Sequence, residues 1–513
     1  MRETLETLPT LRRPAAVNAA EYWISPERFA RRCGRLGGRF VVPMPAATGP
    51  WLCLTDPGDI QSVFTADTNV LRFGAALAKS SPHLLVLGPT GLTNVDGPEH
   101  ARSRRMQLPA FHRRVLAGYE EVMQRKTEET LAGMVFDRPA PVHDFMQEIA
   151  LGVITAAVFG ITEPARAARL RAATLALMRE AGSRRFFLQT IIATARQDGW
   201  DRPFPRIRRA VAAIDAVVLE EVNERKRAGD LERDDILGLF LRTPGDHGSP
   251  MPDNELCDAM RTLLIGGHET TASTLAWILE RAAHHPAVVT RLNSAALDGD
   301  DGYIDAVIKE AMRLRPVFPM TARLAAEPFE LPGLTIPAGT MVVPYITLVH
   351  RRADLYPDPL AFRPERFLGT RAGTFTWIPF GGGARRCIGA NFALIEARVV
   401  LRTMLRHAEL LPTRERSERV GRRNVTIVPA HGGRITLKKR PPAARRTRGG
   451  ETTAAAAAQD LAGISTSVAS EVTGLWPRRA EAGLWPGRRR WSPAATACSG
   501  WPVPGGWPPM APW

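Results

Sequence analysis

The 513-residue sequence has few cysteines: five, at positions 33, 53, 257, 387 and 498. An odd, scattered set argues against a disulfide framework and fits a reducing compartment. Long apolar runs are missing too. None approaches the roughly 18 to 20 residues that span a bilayer. The opening Met1-Arg2-Glu3-Thr4-Leu5-Glu6 has no apolar stretch and brings acids early, so no signal peptide is expected. The expectation is a soluble, cytoplasmic protein without a transmembrane segment. Acids are outnumbered, 52 against 68 lysines and arginines, for a net charge of +16. The arginines are spread along the chain, and no helix-turn-helix, zinc-finger or RNA-binding signature accompanies them. No nucleic-acid partner is expected; a GC-rich coding bias explains the excess more simply.

What is present centres on Cys387, in Phe380-Gly381-Gly382-Gly383-Ala384-Arg385-Arg386-Cys387-Ile388-Gly389. A glycine-rich cationic loop offers one thiol, and helix-forming residues follow. Backbone N–H groups and a helix N-terminus in that setting are expected to lower the thiol pKa. Three chemistries compete. A phosphatase-like loop requires an arginine six residues on, where Ala393 stands. A disulfide is disfavoured by the cysteine count. The third is axial ligation of haem iron.

A second motif is Gly266-Gly267-His268-Glu269-Thr270, inside a helical pattern from about Pro252 to Ala283. A zinc site of the His-Glu-x-x-His kind would need histidine at 272, which is alanine. Paired glycines cost a helix roughly 1 kcal/mol each. They mark either a packing notch or room for a flat ligand, and an adjacent acid and hydroxyl can relay protons. Glu310-Ala311-Met312-Arg313 and Pro364-Glu365-Arg366-Phe367 lie 51 residues apart. His100 and Arg104 share a helix face after Asp96 and Pro98, which suit a helix start.

Together these segments resemble the cytochrome P450 family. Phe380, Gly383, Arg385, Cys387 and Gly389 fill its Phe-x-x-Gly-x-Arg-x-Cys-x-Gly pattern, and the other motifs follow in the family's order over about residues 20 to 440. The resemblance implies a haem-thiolate monooxygenase using haem b (iron protoporphyrin IX), with Cys387 as iron ligand. Gly266 and Gly267 would border the oxygen pocket, and Glu269 and Thr270 would organise proton delivery. His268 falls in a variable slot and is expected to be structural. His100, Arg104, Arg323 and Arg385 would hold the propionates, in a cofactor site that includes Phe380 and Gly389. Glu310, Arg313 and Arg366 would form a buried structural network, while Arg102 and Arg105 are expected to be solvated. Glu269 stands where aspartate is commoner.

The implied partners are O2, a lipophilic small molecule, and a separate ferredoxin or flavodoxin with its reductase, since the tail shows no flavodoxin-like or ferredoxin-like pattern and a self-sufficient fusion is not expected. Arg386, with Arg351 and Arg352, is the expected docking face. Residues 73 to 92, 180 to 204 and Phe318 to Thr321 would contact substrate. Two alternatives are a peroxide-driven peroxygenase and a non-catalytic haem or lipid sensor.

The expected architecture is α+β and mainly helical, with small sheets. Strands are read at residues 40–43, 51–55, 327–331 and 335–343, and helices at 116–136, 145–158 and 210–225. The resemblance adds the cytochrome P450 fold enclosing haem, as a monomer. An irregular arm is expected over 1–20, the haem domain over 21–440, and a disordered tail over 441–513. The tail holds ten prolines, six of the eleven tryptophans and a polyalanine run at Ala454 to Ala458.

Overall fold

The computed structural model describes residues 3–441 except 46–47, 81–82, 184, 187, 191, 193–203, 244–249 and 424. The tail, apart from residue 441, lies outside the described residues, as does part of the expected substrate segment 180–204.

One helix organises the rest. Asp253–Ala283 runs for 31 residues, about 46 Å at 1.5 Å per residue. Its sequence is apolar or small on nearly every side, so it can be covered all round. Helices His143–Val153, Pro205–Ala228, Asp301–Leu314 and Ala390–His407 pack against it. A π-helical turn, Ile154–Val158, follows His143–Val153 without a break. The periodicity read over 145–158 therefore spans two backbone geometries. The segment read as one helix over 116–136 instead forms Arg113–Ala117 and Glu120–Leu131.

The main sheet has five strands in the order Arg39–Val42, Trp51–Leu54, Met341–Pro344, Arg323–Ala325, Leu71–Arg72. The second and third pair in parallel, Leu52 opposite Val342, and the other pairs are antiparallel. Two hairpins, Phe329–Leu331 with Leu334–Ile336 and Val420–Arg423 with Thr426–Pro429, complete most of the β structure. The stretch read as one strand over 335–343 breaks at Pro337–Thr340, where Gly339 takes φ +82°. Proline supplies no ladder N–H, and a positive φ turns the chain.

The N-terminal segment is less irregular than expected. Ala15–Ile24 is helical, entered through Pro14, and buried Asn18 donates to Pro43 O at 2.9 Å. Leu11 N–H bonds Val41 O at 2.9 Å, and Leu8 and Leu11 are buried. Two apolar anchors in otherwise polar sequence carry too little periodicity to be read in advance. Among the described residues, no helix is long and apolar enough to cross a membrane.

Candidate active site

The Cys387 loop is shaped by glycine. Gly381 and Gly383 take φ +68° and +63°, a region side chains avoid. A Cβ on Gly383 would fall 1.6 Å from Phe64 O, and one on Gly382 would lie 2.1 Å from the Phe64 ring. The loop therefore lies flat on Phe64, at the end of helix Pro57–Thr65. Cys387 N–H returns to Phe380 O at 2.9 Å. Gly389 caps helix Ala390–His407, and its N–H donates to the Cys387 sulfur.

Cys387 is the exposed member of the four described cysteines, yet protein surrounds it closely enough to desolvate it. Burial raises its thiol pKa; the Gly389 N–H, Arg386 and Arg104 pull the other way and lose. This reverses the direction expected from the loop's donors and helix start. Desolvation of an anion outweighs one N–H and two partly screened guanidiniums.

A cationic cluster lies near this loop. Arg323 is buried and donates only to Thr321 Oγ1 and Ala322 O, with no carboxylate partner among the described residues. Burial and then Arg385 push its pKa down to about 9. Its guanidinium lies 4.9 Å from the centre of the Phe73 ring. His100 is also buried, and its pKa falls to about 3 through burial, Arg385, Arg104 and Arg323 in that order. Arg104 is half-buried, and burial lowers its pKa. Arg385 donates to Leu92 O, Val95 O and the Asp96 carboxylate. Among the described residues, Asp96 is the acid bonded to Arg385, and it also acts on Arg323.

Asp96 does not cap its own helix. Its carboxylate accepts from the N–H groups of Phe73, Gly74 and Ala75, each at 2.9 Å. It thus caps Phe73–Ser80, a helix 23 residues upstream, and joins that helix to Arg385. Arg102 is not solvated as expected but donates to Glu255 at 2.6 Å; Arg105 is exposed.

On the central helix, Gly266 has open space where a Cβ would point, whereas at Gly267 that space is filled by Ile154 Cδ1, 2.9 Å away. Thr270 Oγ1 donates to Gly266 O at 2.5 Å. Glu269 is buried, and its Oε2 accepts from Gln147 Nε2 at 2.8 Å rather than from Thr270. Neighbouring helix residues point about 100° apart, so Glu269 and Thr270 face different surroundings. His268 is wholly buried, neither ring nitrogen has a hydrogen-bond partner among the described residues, and burial takes its pKa to about 4.

The Glu310 carboxylate holds Arg313 through two hydrogen bonds, and Arg366 Nε stands 3.4 Å from Glu310 Oε1. Arg313 also donates to His350 O, Pro359 O and Ala361 O. His350, unmarked by any sequence motif, joins this network to the thiol loop. Its Nδ1 lies 3.1 Å from Arg313 O, and its Nε2 accepts from Ile378 N–H at 2.9 Å. Of the arginines expected to form a docking face, Arg386 is exposed. Arg351 is instead bound to Glu27 by two hydrogen bonds and Arg352 to Asp354.

The family model for cytochrome P450 matches residues 47–432. Cytochrome P450 137 of Mycobacterium tuberculosis is 34% identical over 425 residues, 83% of this chain and 88% of that protein. Cytochrome P450 135B1 of Mycobacterium bovis is 37% identical over 419 residues, 80% and 87% of the two chains. Among solved structures, the cytochrome P450DA haem domain superposes with a TM-score of 0.71 at 22% identity, covering 86% of this chain and 98% of that one. The retinoic-acid-bound cyanobacterial CYP120A1 gives 0.69 at 21%, covering 84% and 99%. Fold, sequence motifs and relatives converge: the chain belongs to the cytochrome P450 family of haem-dependent monooxygenases.

Proposed function

We propose that this chain inserts one oxygen atom of O2 into a lipophilic small molecule, using electrons from a separate ferredoxin or flavodoxin. We assign the catalysis to residues 21–440. The observation that carries the reading is the charge around Asp96. Of the three guanidiniums on Arg104, Arg323 and Arg385, Arg385 alone is bonded to a carboxylate among the described residues, that of Asp96, and His100 is held neutral beside them. Two positive charges are left over, and a haem b brings two propionates. Charge-assisted bonds to carboxylates are what desolvated guanidiniums require.

Haem, when bound, supplies the activation of dioxygen and the oxygen insertion. Cys387 would hold it through sulfur. A cation bonded to that sulfur reverses the pKa rise that burial imposes, since coordination deprotonates a thiol outright. Gly389 N–H then stabilises the thiolate, and Phe380 and the glycine turn fix its approach. Gly266 leaves open space on the central helix, one turn from Thr270, that we assign to the oxygen pocket. We assign proton delivery to Glu269 and Thr270, which meet different surroundings on the central helix. Exposed Leu188 and Phe318, in the segments assigned to substrate, support a lipophilic ligand. Arg386 is the docking cation we assign to an acidic electron donor.

The test compares product formation with reductant plus O2 against hydrogen peroxide alone, for wild type and Thr270→Ala. The reading expects product with O2 and a shift toward released peroxide in the variant. Equal turnover with peroxide alone, insensitive to Thr270, would establish a peroxygenase instead. Haem and ligand binding with no product under either condition would establish a sensor.

A further inference from the structure

Glu269 sits at the meeting point of three segments far apart in sequence. Gln147 Nε2 takes its Oε2, leaving Oε1 without a hydrogen bond. Two groups lie just beyond bonding range of Oε1: His143 Nε2 at 3.8 Å and Arg423 Nε at 3.7 Å. His143 is buried, 4% exposed at its side chain, whereas Arg423 is 40% exposed and Asp144 67%. The arrangement therefore runs from an enclosed acid to the protein surface through one imidazole.

We propose that His143, held by Arg423, is the inlet through which protons reach Glu269 from solvent; this rests on the reading of Glu269 as proton donor. The ring's orientation carries the inference. Arg423 Nη1 lies 3.2 Å from His143 Nδ1. A guanidinium has donors only, so while Arg423 bonds the ring Nδ1 accepts and the proton sits on Nε2; Asp144 Oδ1, at 3.8 Å, is too far to draw it to Nδ1. That nitrogen faces Glu269 Oε1 and, at 3.4 Å, Ser273 Oγ. The outward nitrogen is thus basic and the inward one carries the proton, the polarity an inward relay needs.

Asp144 Oδ1 stands 3.8 Å from both His143 Nδ1 and Arg423 Nη1, so it can draw the guanidinium aside. A proton from water then enters at Nδ1 and one leaves Nε2 for Glu269 Oε1, through a bridging water or a small side-chain turn. The ring ends neutral with its proton on Nδ1; it resets when Nδ1 gives that proton to outside water and Nε2 takes one from the bridging water, which exchanges with solvent while Arg423 is drawn aside. His268, whose ring nitrogens reach no partner among the described residues, is not on this route.

The test uses the full-length holoprotein. In the ferrous carbon-monoxide form, nitrogen-15 NMR of histidine-labelled protein reads the His143 tautomer. The proposal expects Nε2–H in wild type, a mixture in Arg423→Leu, and displaced His143 signals in Glu269→Gln. Separately, dithionite-reduced protein is mixed with O2 in H2O and D2O, and the return of the ferric spectrum is timed. His143→Gln is expected to slow that return about tenfold, with a larger isotope effect and recovery on adding imidazole. A ring proton on Nδ1, or His143 signals indifferent to Glu269→Gln, would overturn the inlet even if His143→Gln failed to fold. An unchanged return in His143→Gln beside a slowed Glu269→Gln would also overturn it while leaving Glu269 as donor. No effect in either variant would remove both readings.

Discussion

Arg313 lies on Glu310 through two parallel hydrogen bonds of 2.7 and 2.8 Å, with both side chains fully buried. Each remaining Arg313 donor direction is used by a carbonyl, and Glu310 Oε1 also accepts Arg363 N–H at 2.8 Å. A pair so enclosed is costly to halve. Glu310→Ala is expected to destabilise the fold by about 3–5 kcal/mol, because a buried cation then lacks its anion. Thermal unfolding and the haem-to-protein ratio should fall together. A variant that loses activity while keeping full stability and haem content would show that the pair is not structural.

Arg323 should behave in the opposite way. Its guanidinium is buried with no carboxylate bonded to it among the described residues, so the haem-free fold bears its desolvation cost. Arg323→Leu is expected to leave the haem-free protein as stable as wild type or more so, while haem affinity drops at least tenfold. Calorimetry without haem and haem titration separate the two effects. Unchanged haem affinity would remove Arg323 from the propionate site.

The two neighbouring glycine turns differ in what lies beside them. Gly381→Ala meets open space and should cost about 1 kcal/mol for its positive φ. Gly383→Ala would drive a methyl into the Phe64 carbonyl and cost several times more. Unfolding midpoints and haem content of the two variants check this order. Equal effects would mean that the loop does not rest on Phe64.

Acid should weaken the fold partly through His268. Its pKa falls from 6.5 to about 4 on burial. The unfolded chain therefore takes up a proton first as pH falls, and stability drops between about pH 6.5 and 4. Above that window neither state is protonated there, and below it both are. His268→Leu removes this contribution and two unbonded buried nitrogens. It should flatten the stability–pH curve between those limits and cost little at pH 8. A curve as steep as wild type's would contradict the assignment.

What could be read in advance follows from where the partners sit. The thiol loop is contiguous, so Phe380 to Gly389 declared itself. Helix and strand periods also placed the central helix to within one residue at its start. Asp96 was read as the cap of its own helix, because only the local pattern is visible; its carboxylate instead bonds N–H groups at 73 to 75 and Arg385. His143 and Arg423 lie 126 and 154 residues from Glu269 and carry no motif. Only the packing around the central helix of helix His143–Val153 and of strand Thr426–Pro429, which carries its hairpin partner Val420–Arg423, joins them. Arg351 looked free for docking because Glu27, its partner, is 324 residues away.

The most direct test of the whole account is the carbon-monoxide spectrum of the reduced, haem-loaded protein, wild type beside Cys387→Ser. The account predicts the red-shifted Soret band of a thiolate ligand in wild type and its loss in the variant. A wild-type band without thiolate character, or an unaltered spectrum in Cys387→Ser, would contradict it.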